Sequence, residues 1–285
     1  MEERSGPVGG ARCALIDHVN NLKLQYLVEL SKLGDSCAGL ESKLEAWLNE
    51  HDVIFDGQTI PFVLMPHFIS PGQLRRVKQA VGALSAVLDR FCDAYPTDEA
   101  MREELAVSPM EDSLIRIDPG FPRPMRICRL DAFLTGYDVK FLEFNADSPA
   151  GTGYTDILHA GLSSTIDLPR VRQEFDMTYA PILPELISTL TDAYGHVRAS
   201  HPDLPESPTL ALVDAAGSPS VPEFRIICAA AKAAGIEADH ATLEDVTYDG
   251  STLHVKGEPV QLVYRRALLE AVSYTHLTLP TILRV

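Results

Sequence analysis

Apolar residues along the first third of the chain recur at spacings of three and four, and from about residue 123 the period shortens to two. Over residues 15 to 107 the pattern predicts helices, most clearly in "LSKLGDSCAGLESKLEAWLNE" and "SPGQLRRVKQAVGALSAVLDRFCDAY". Three-and-four spacing lines one face of a 3.6-residue helix. The second stretch opens with Ser70 as N-cap and Pro71 at the first helical position, residue types that satisfy and pre-shape a helix start. Such stripes are core-facing, and no chemistry is assigned to them.

The alternating stretches "RPMRICRLDAFL" and "DVKFLEFNA", joined through "TGYD", predict an antiparallel hairpin. Helices are expected at about 154–163 and 180–199, followed by the Pro-rich linker "HPDLPESPT" at 201–209. Beyond it "LALVD" reads as a strand, "VPEFRIICAAAKAAG" as a helix, and "IEADHA" and "QLVYRR" as strands. Together they make a Rossmann-like α/β unit, with Gly235 where a helix C-cap belongs. The fold class is therefore α/β of mixed α+β character. It divides into a helical region over 1–110, a hairpin-bearing part over 111–200 and an α/β unit over 205–271.

With 285 residues, 46% of them hydrophobic, the chain can bury a sizeable core. A formal charge of −16 argues against a nucleic-acid partner or an anionic membrane, since both demand clustered Lys and Arg. Cys13, Cys37, Cys92, Cys128 and Cys228 form no CxxC pair, so neither a zinc knuckle nor a disulfide framework is indicated. With no signal-peptide-like run and no apolar stretch of spanning length, the expectation is a cytoplasmic protein.

The hairpin concentrates the polar chemistry. Strict alternation along its second strand would set Val139, Phe141, Glu143 and Asn145 on one face. A three-residue loop, Gly136 to Asp138, would then bring Asp131 opposite Glu143 and Arg129 opposite Asn145. Facing like charges destabilise a strand pair unless something compensates. Two carboxylates and an amide oxygen are hard ligands of the kind Mg²⁺ takes, and a permanently charged Arg suits an oxyanion or a transferring phosphoryl group. On spacing alone the favoured reading is plainer: a solvated polar face on which Arg129 neutralises the acids. "SPAGTG", likewise, is more simply a turn than a phosphate loop.

"RLD", a spacer and "KFLEFNADSPAG" resemble the synthetase domain of glutathionylspermidine synthases and related circularly permuted ATP-grasp ligases. The likeness includes the twelve-residue step from Asp131 to Glu143. It extends over about 110–270, through "AAKAAGIEADHATLEDVTYDGSTLHVKGEPVQLVYRRALLE", and is strongest at 129–148. The resemblance implies a truncated ATP-grasp-like core and ATP-dependent joining of a small-molecule acid to an amine through an acyl phosphate, with ATP and Mg²⁺ as cofactors. It implies Asp131, Glu143 and Asn145 as magnesium ligands, Arg129 as the catalytic cation and Ser148 as a contact to the acid. Ala150 stands where the glutathione-using members carry a second Ser, which counts against glutathione as that acid. Two other classes remain open: a non-catalytic α/β binding or scaffold domain, and a Mg-dependent phosphohydrolase, which would need an aspartyl nucleophile or a second acidic cluster.

The tail "VSYTHLTLPTILRV", residues 272–285, has no acid and no relation to what precedes it. It resembles a translated transposase adapter from sequencing-library preparation over Val272 to Thr281. The expectation is that the native sequence departs near Glu270 and that this chain is the front of a longer protein, with the nucleotide clamp further on.

Overall fold

The protein is described as a computed structural model covering residues 8–34, 36–123 and 125–268; the adapter-like tail at 272–285 lies outside the described residues. Helices α1 (Val8–Ser31) and α2 (Ser36–Glu50) are separated at Gly34, whose φ of +54° ends the first. A small hairpin follows, β1 (Ile54–Phe55) and β2 (Gln58–Thr59). The helical expectation for 15–107 therefore fails over 51–69. Asp52, Asp56 and Gly57 all take positive φ there, turn conformations that Asp and Gly tolerate and that no helix accommodates.

Helix α3 (Pro71–Ala94) starts where its sequence cap stands. Ser70 Oγ accepts from the Gln73 amide at 3.1 Å while Gln73 Oε1 accepts from the Ser70 amide at 2.8 Å, a reciprocal capping box. Two short helices, α4 (Glu99–Leu105) and α5 (Pro109–Ile115), are capped by Asp98 and Ser108.

The long hairpin pairs β3 (Arg129–Thr135) with β4 (Asp138–Asn145). Next come α6 (Tyr154–Thr165), α7 (Pro169–Glu174) and α8 (Leu183–Ser200); α7, at six residues, is too short to show a period. Asp156 of α6 accepts from the Ile182 and Leu183 amides and so supplies the cap that α8 lacks locally.

The α/β unit has the three strands and the helix that its pattern predicts, and between the second and third strands a meander that the pattern does not announce. β5 (Leu210–Asp214), α9 (Val221–Ala233) and β6 (Ala238–Thr242) form a crossover. The meander β7 (Val246–Tyr248), β8 (Leu253–Val255), β9 (Glu258–Val260) leads into β10 (Leu262–Arg265). β10, β5 and β6 lie parallel in that order. Leu210, Leu212, Leu262 and Tyr264 pack with Phe224, Ile227 and Ala231 of α9, whereas Ala211, Val213 and Val263 pack under the meander with Val246, Val255 and Val260. Burial on both faces is why "LALVD" and "LVYR" read as continuous apolar runs. α9 ends in a Schellman motif: Gly235, φ +81°, donates to Lys232 O and Ile236 donates to Ala231 O, each at 3.0 Å. The first of these cores also takes in Leu22, Tyr26, Leu44, Leu48 and Leu190, so buried apolar surface is shared across 201–209.

Candidate functional site

The turn of the long hairpin is shorter than expected. Thr135 pairs with Asp138, leaving Gly136, φ +61°, and Tyr137 as a two-residue loop. A register shift between Asp131 and Ala132 then leaves Leu142 as the extra residue of β4, since Ala132 pairs with Phe141 and Asp131 with Glu143. One bulge restores the parity that a three-residue loop would have set. Asp131 therefore stands opposite Glu143, and Arg129 opposite Asn145.

The bulge also corrects the strict alternation expected along β4. Phe141 and Val139 pair with Ala132 and Leu134, on the face that carries Leu130 and Phe144, while Glu143 and Asn145 share the face of Arg129 and Asp131. A bulge re-aims the side chains beyond it. It here separates an apolar face from one bearing Arg129, Asp131, Thr135, Asp138, Lys140, Glu143 and Asn145, with the exposed Phe133 as its apolar member.

On the polar face Arg129 Nε donates to Asp131 Oδ1 at 3.1 Å and Arg129 Nη1 donates to the Ala150 carbonyl at 3.1 Å. Glu143 is exposed and has no ion pair among the described residues. Asn145 Nδ2 is buried without a hydrogen-bond partner, so no bond of that nitrogen holds the amide against rotating to present its oxygen. Two carboxylates and one free amide fit a divalent cation that completes its shell with water or phosphate oxygens. No group of three or more His, Cys, Asp or Glu stands together among the described residues, so any such cation would lean on Asn145.

Ser148 belongs to the adjoining loop, not to the hairpin face. Its φ is +51°, and its Oγ donates to the Arg265 carbonyl and to Asp147 Oδ1, each at 3.3 Å. Arg265 Nη2 returns a bond to Asp147 Oδ1 at 2.8 Å. Ser148, Tyr264, Arg265 and Arg126 line an open cleft of about 170 Å³ beside the carboxyl end of β10, where parallel sheets usually receive ligands. Burial raises the Tyr264 hydroxyl above its ordinary range, with Arg266 opposing, so it stays a neutral hydrogen-bonding group.

The "SPAGTG" loop is not a free phosphate cradle. Its Gly151 and Gly153 amides donate to Glu223 Oε1 at 2.9 and 3.0 Å. Glu223 is fully buried in the first turn of α9 and pairs through Oε2 with Arg266 Nη2 at 3.3 Å. Arg266, 4% exposed, gives Nη1 to the Pro149 carbonyl at 2.8 Å and to the Tyr264 hydroxyl at 3.2 Å. Periodicity gives no hint of these two residues. Glu223 looks like a dipole-complementing acid at a helix start, and Arg266 like one of two consecutive arginines.

No family model matches this sequence, and no curated protein does either. Among solved structures, the chain is similar to a glutathione synthetase-like effector from Globodera pallida in its apo form. The match has a TM-score of 0.54 at 17% identity and covers 83% of this chain and 59% of that one. The likeness is one of fold: a mixed α/β, glutathione synthetase-like architecture.

Proposed function

We propose that this chain carries the metal-ligand half of an ATP-dependent carboxylate–amine ligase of the ATP-grasp type, similar to glutathionylspermidine synthases. The observation that carries the reading is the hairpin register, which gathers Arg129, Asp131, Glu143 and Asn145 on one face. The glutathione synthetase-like fold of the structural neighbour supports it at the level of architecture.

In this reading Asp131, Glu143 and Asn145 would hold Mg²⁺, whose charge would offset that of a phosphate group. Arg129 lies beside that charge, its guanidinium kept by Asp131 and the Ala150 carbonyl, and stabilises the anion that develops as carboxylate attacks phosphorus. Ser148 contacts the acid. The protein contributes positioning and electrostatics: the carboxylate takes the terminal phosphoryl group as ADP leaves, and the amine then attacks the acyl carbon, losing a proton as phosphate departs.

On this reading the chain by itself should bind Mg²⁺-ATP weakly and turn over nothing, whereas a longer parent that also carries the nucleotide clamp should be active. The test is ADP release by the parent, screened over peptide acids and polyamines and required to depend on both. Glu143→Ala should lower turnover severely, because a lost ligand leaves phosphate charge uncompensated. It should leave stability within about 0.5 kcal/mol, as for other exposed sites. Full activity in that variant would remove the site assignment.

A further inference from the structure

A buried ion pair is an expensive way to hold a fold together, because desolvating two charges offsets much of their attraction. Glu223 and Arg266 are such a pair, and Arg266 Nε is in addition buried without a partner. Yet of the five side-chain bonds the two make, three are directed at one loop. Glu223 takes the amides of Gly151 and Gly153, and Arg266 takes the carbonyl of Pro149. The carbonyl left over between these anchors, that of Ala150, accepts from Arg129 Nη1. The loop fits its clamp closely: a Cβ on Gly153 would stand 3.0 Å from Glu223 Cγ and 3.4 Å from the Glu223 carbonyl.

We propose that Glu223 and Arg266 are positioning residues: by clamping the 149–153 loop they aim the Ala150 carbonyl at Arg129 and so set its guanidinium over the Asp131–Glu143 face. Two acceptors, Ala150 O and Asp131 Oδ1, define the plane of the Arg129 fork. One of them belongs to a loop whose position is dictated by residues 70 and more positions away in sequence. A guanidinium with a single anchor rotates; with two it is oriented before any ligand arrives, and such preorganisation gives an electrostatic group its catalytic value. The catalytic consequence rests on the ligase reading, but the mechanical linkage does not.

The linkage can be read in this chain by the nitrogen-correlated NMR signal of the Arg129 Nε–H, assigned by its loss in Arg129→Lys, and by hydrogen exchange at Gly151 and Gly153. In Glu223→Gln the neutral amide accepts more weakly and turns an N–H toward Arg266. Exchange at both glycines should rise about ten- to a hundredfold, the factor carried by a lost charge-assisted bond, and the Arg129 Nε–H signal should move or broaden. Gly153→Ala displaces the loop while leaving the pair intact and should do the same, so the result survives if Glu223→Gln fails to fold. Arg225→Ala, which removes a different tie of the same helix, is the control and should leave the Arg129 signal in place. An unchanged Arg129 signal in both Glu223→Gln and Gly153→Ala, or an equal change in the control, overturns the proposal. Failure of the parent to release ADP would sink the ligase reading and leave this measurement standing.

Discussion

At the scale of single residues the charged pairs differ chiefly in exposure. Arg225 makes a bidentate contact with Asp52, Nε to Oδ2 at 2.9 Å and Nη2 to Oδ1 at 2.7 Å, tying α9 to the end of α2. The hydrogen bond from Arg225 holds the Asp52 carboxyl below its usual range, with burial opposing. A carboxyl whose folded pKa is depressed contributes stability in full above its unfolded value, about 4. That contribution disappears as pH falls through the lower folded value. Since the two side chains are 37% and 48% exposed, the discounted effect is about 0.5–1 kcal/mol. Arg225→Ala should therefore lower the melting temperature slightly and constantly from pH 7 to 5, and the gap should close below pH 4. A gap that widens in acid would show that the pair is not the source.

Between elements, close approach overrules propensity. α6 packs on α2 through Gly161, where an added Cβ would lie 2.5 Å from Trp47 Cδ1 and 2.9 Å from Leu44 Cδ1. In an exposed helix Gly→Ala gains up to about 1 kcal/mol. Here overpacking of roughly 1–3 kcal/mol wins, because Leu44 is fully buried and cannot withdraw. Gly161→Ala should lower the denaturant midpoint without changing the slope; a rise would mean that α2 and α6 separate freely. The hairpin illustrates the same scale. It is joined to α3 at its turn, where Gln73 Nε2 donates to Gly136 O at 2.7 Å, and a two-stranded sheet relies on such neighbours because alone it is marginal.

Across the whole molecule, burial is uneven. α3 runs for 24 residues and buries only Gln73, whereas α9 buries six residues in 13 and every residue of β5 except Asp214 is buried. Local opening free energy follows buried contacts. Amide exchange should accordingly be slowest in β5, β10 and α9, intermediate in α8, and fastest in α3 to α5 and the long hairpin. The Glu143-bearing face would then sit on a pliable element fastened to a rigid one through the 149–153 loop. Uniform protection across all helices would contradict this gradient. No helix among the described residues is long and apolar enough to cross a membrane.

The sequence by itself determined what depends on residues a few positions apart. The Ser70–Gln73 cap, the Schellman end at Gly235, the alternation along β3 and the apolar runs of β5 and β10 are all set by local sterics and hydrogen bonding. The nearness of Arg129, Asp131, Glu143 and Asn145 was legible in part, since a three-residue loop and a two-residue loop with one bulge share a parity. Choosing between them needed the pairing itself, and with it came the separation of Phe141 from Glu143. The tertiary structure alone decided that Glu223 meets Arg266, 43 positions on, and that both close on the 149–153 loop. Burial of a charge is settled by what packs around it, and no local pattern of residues encodes that.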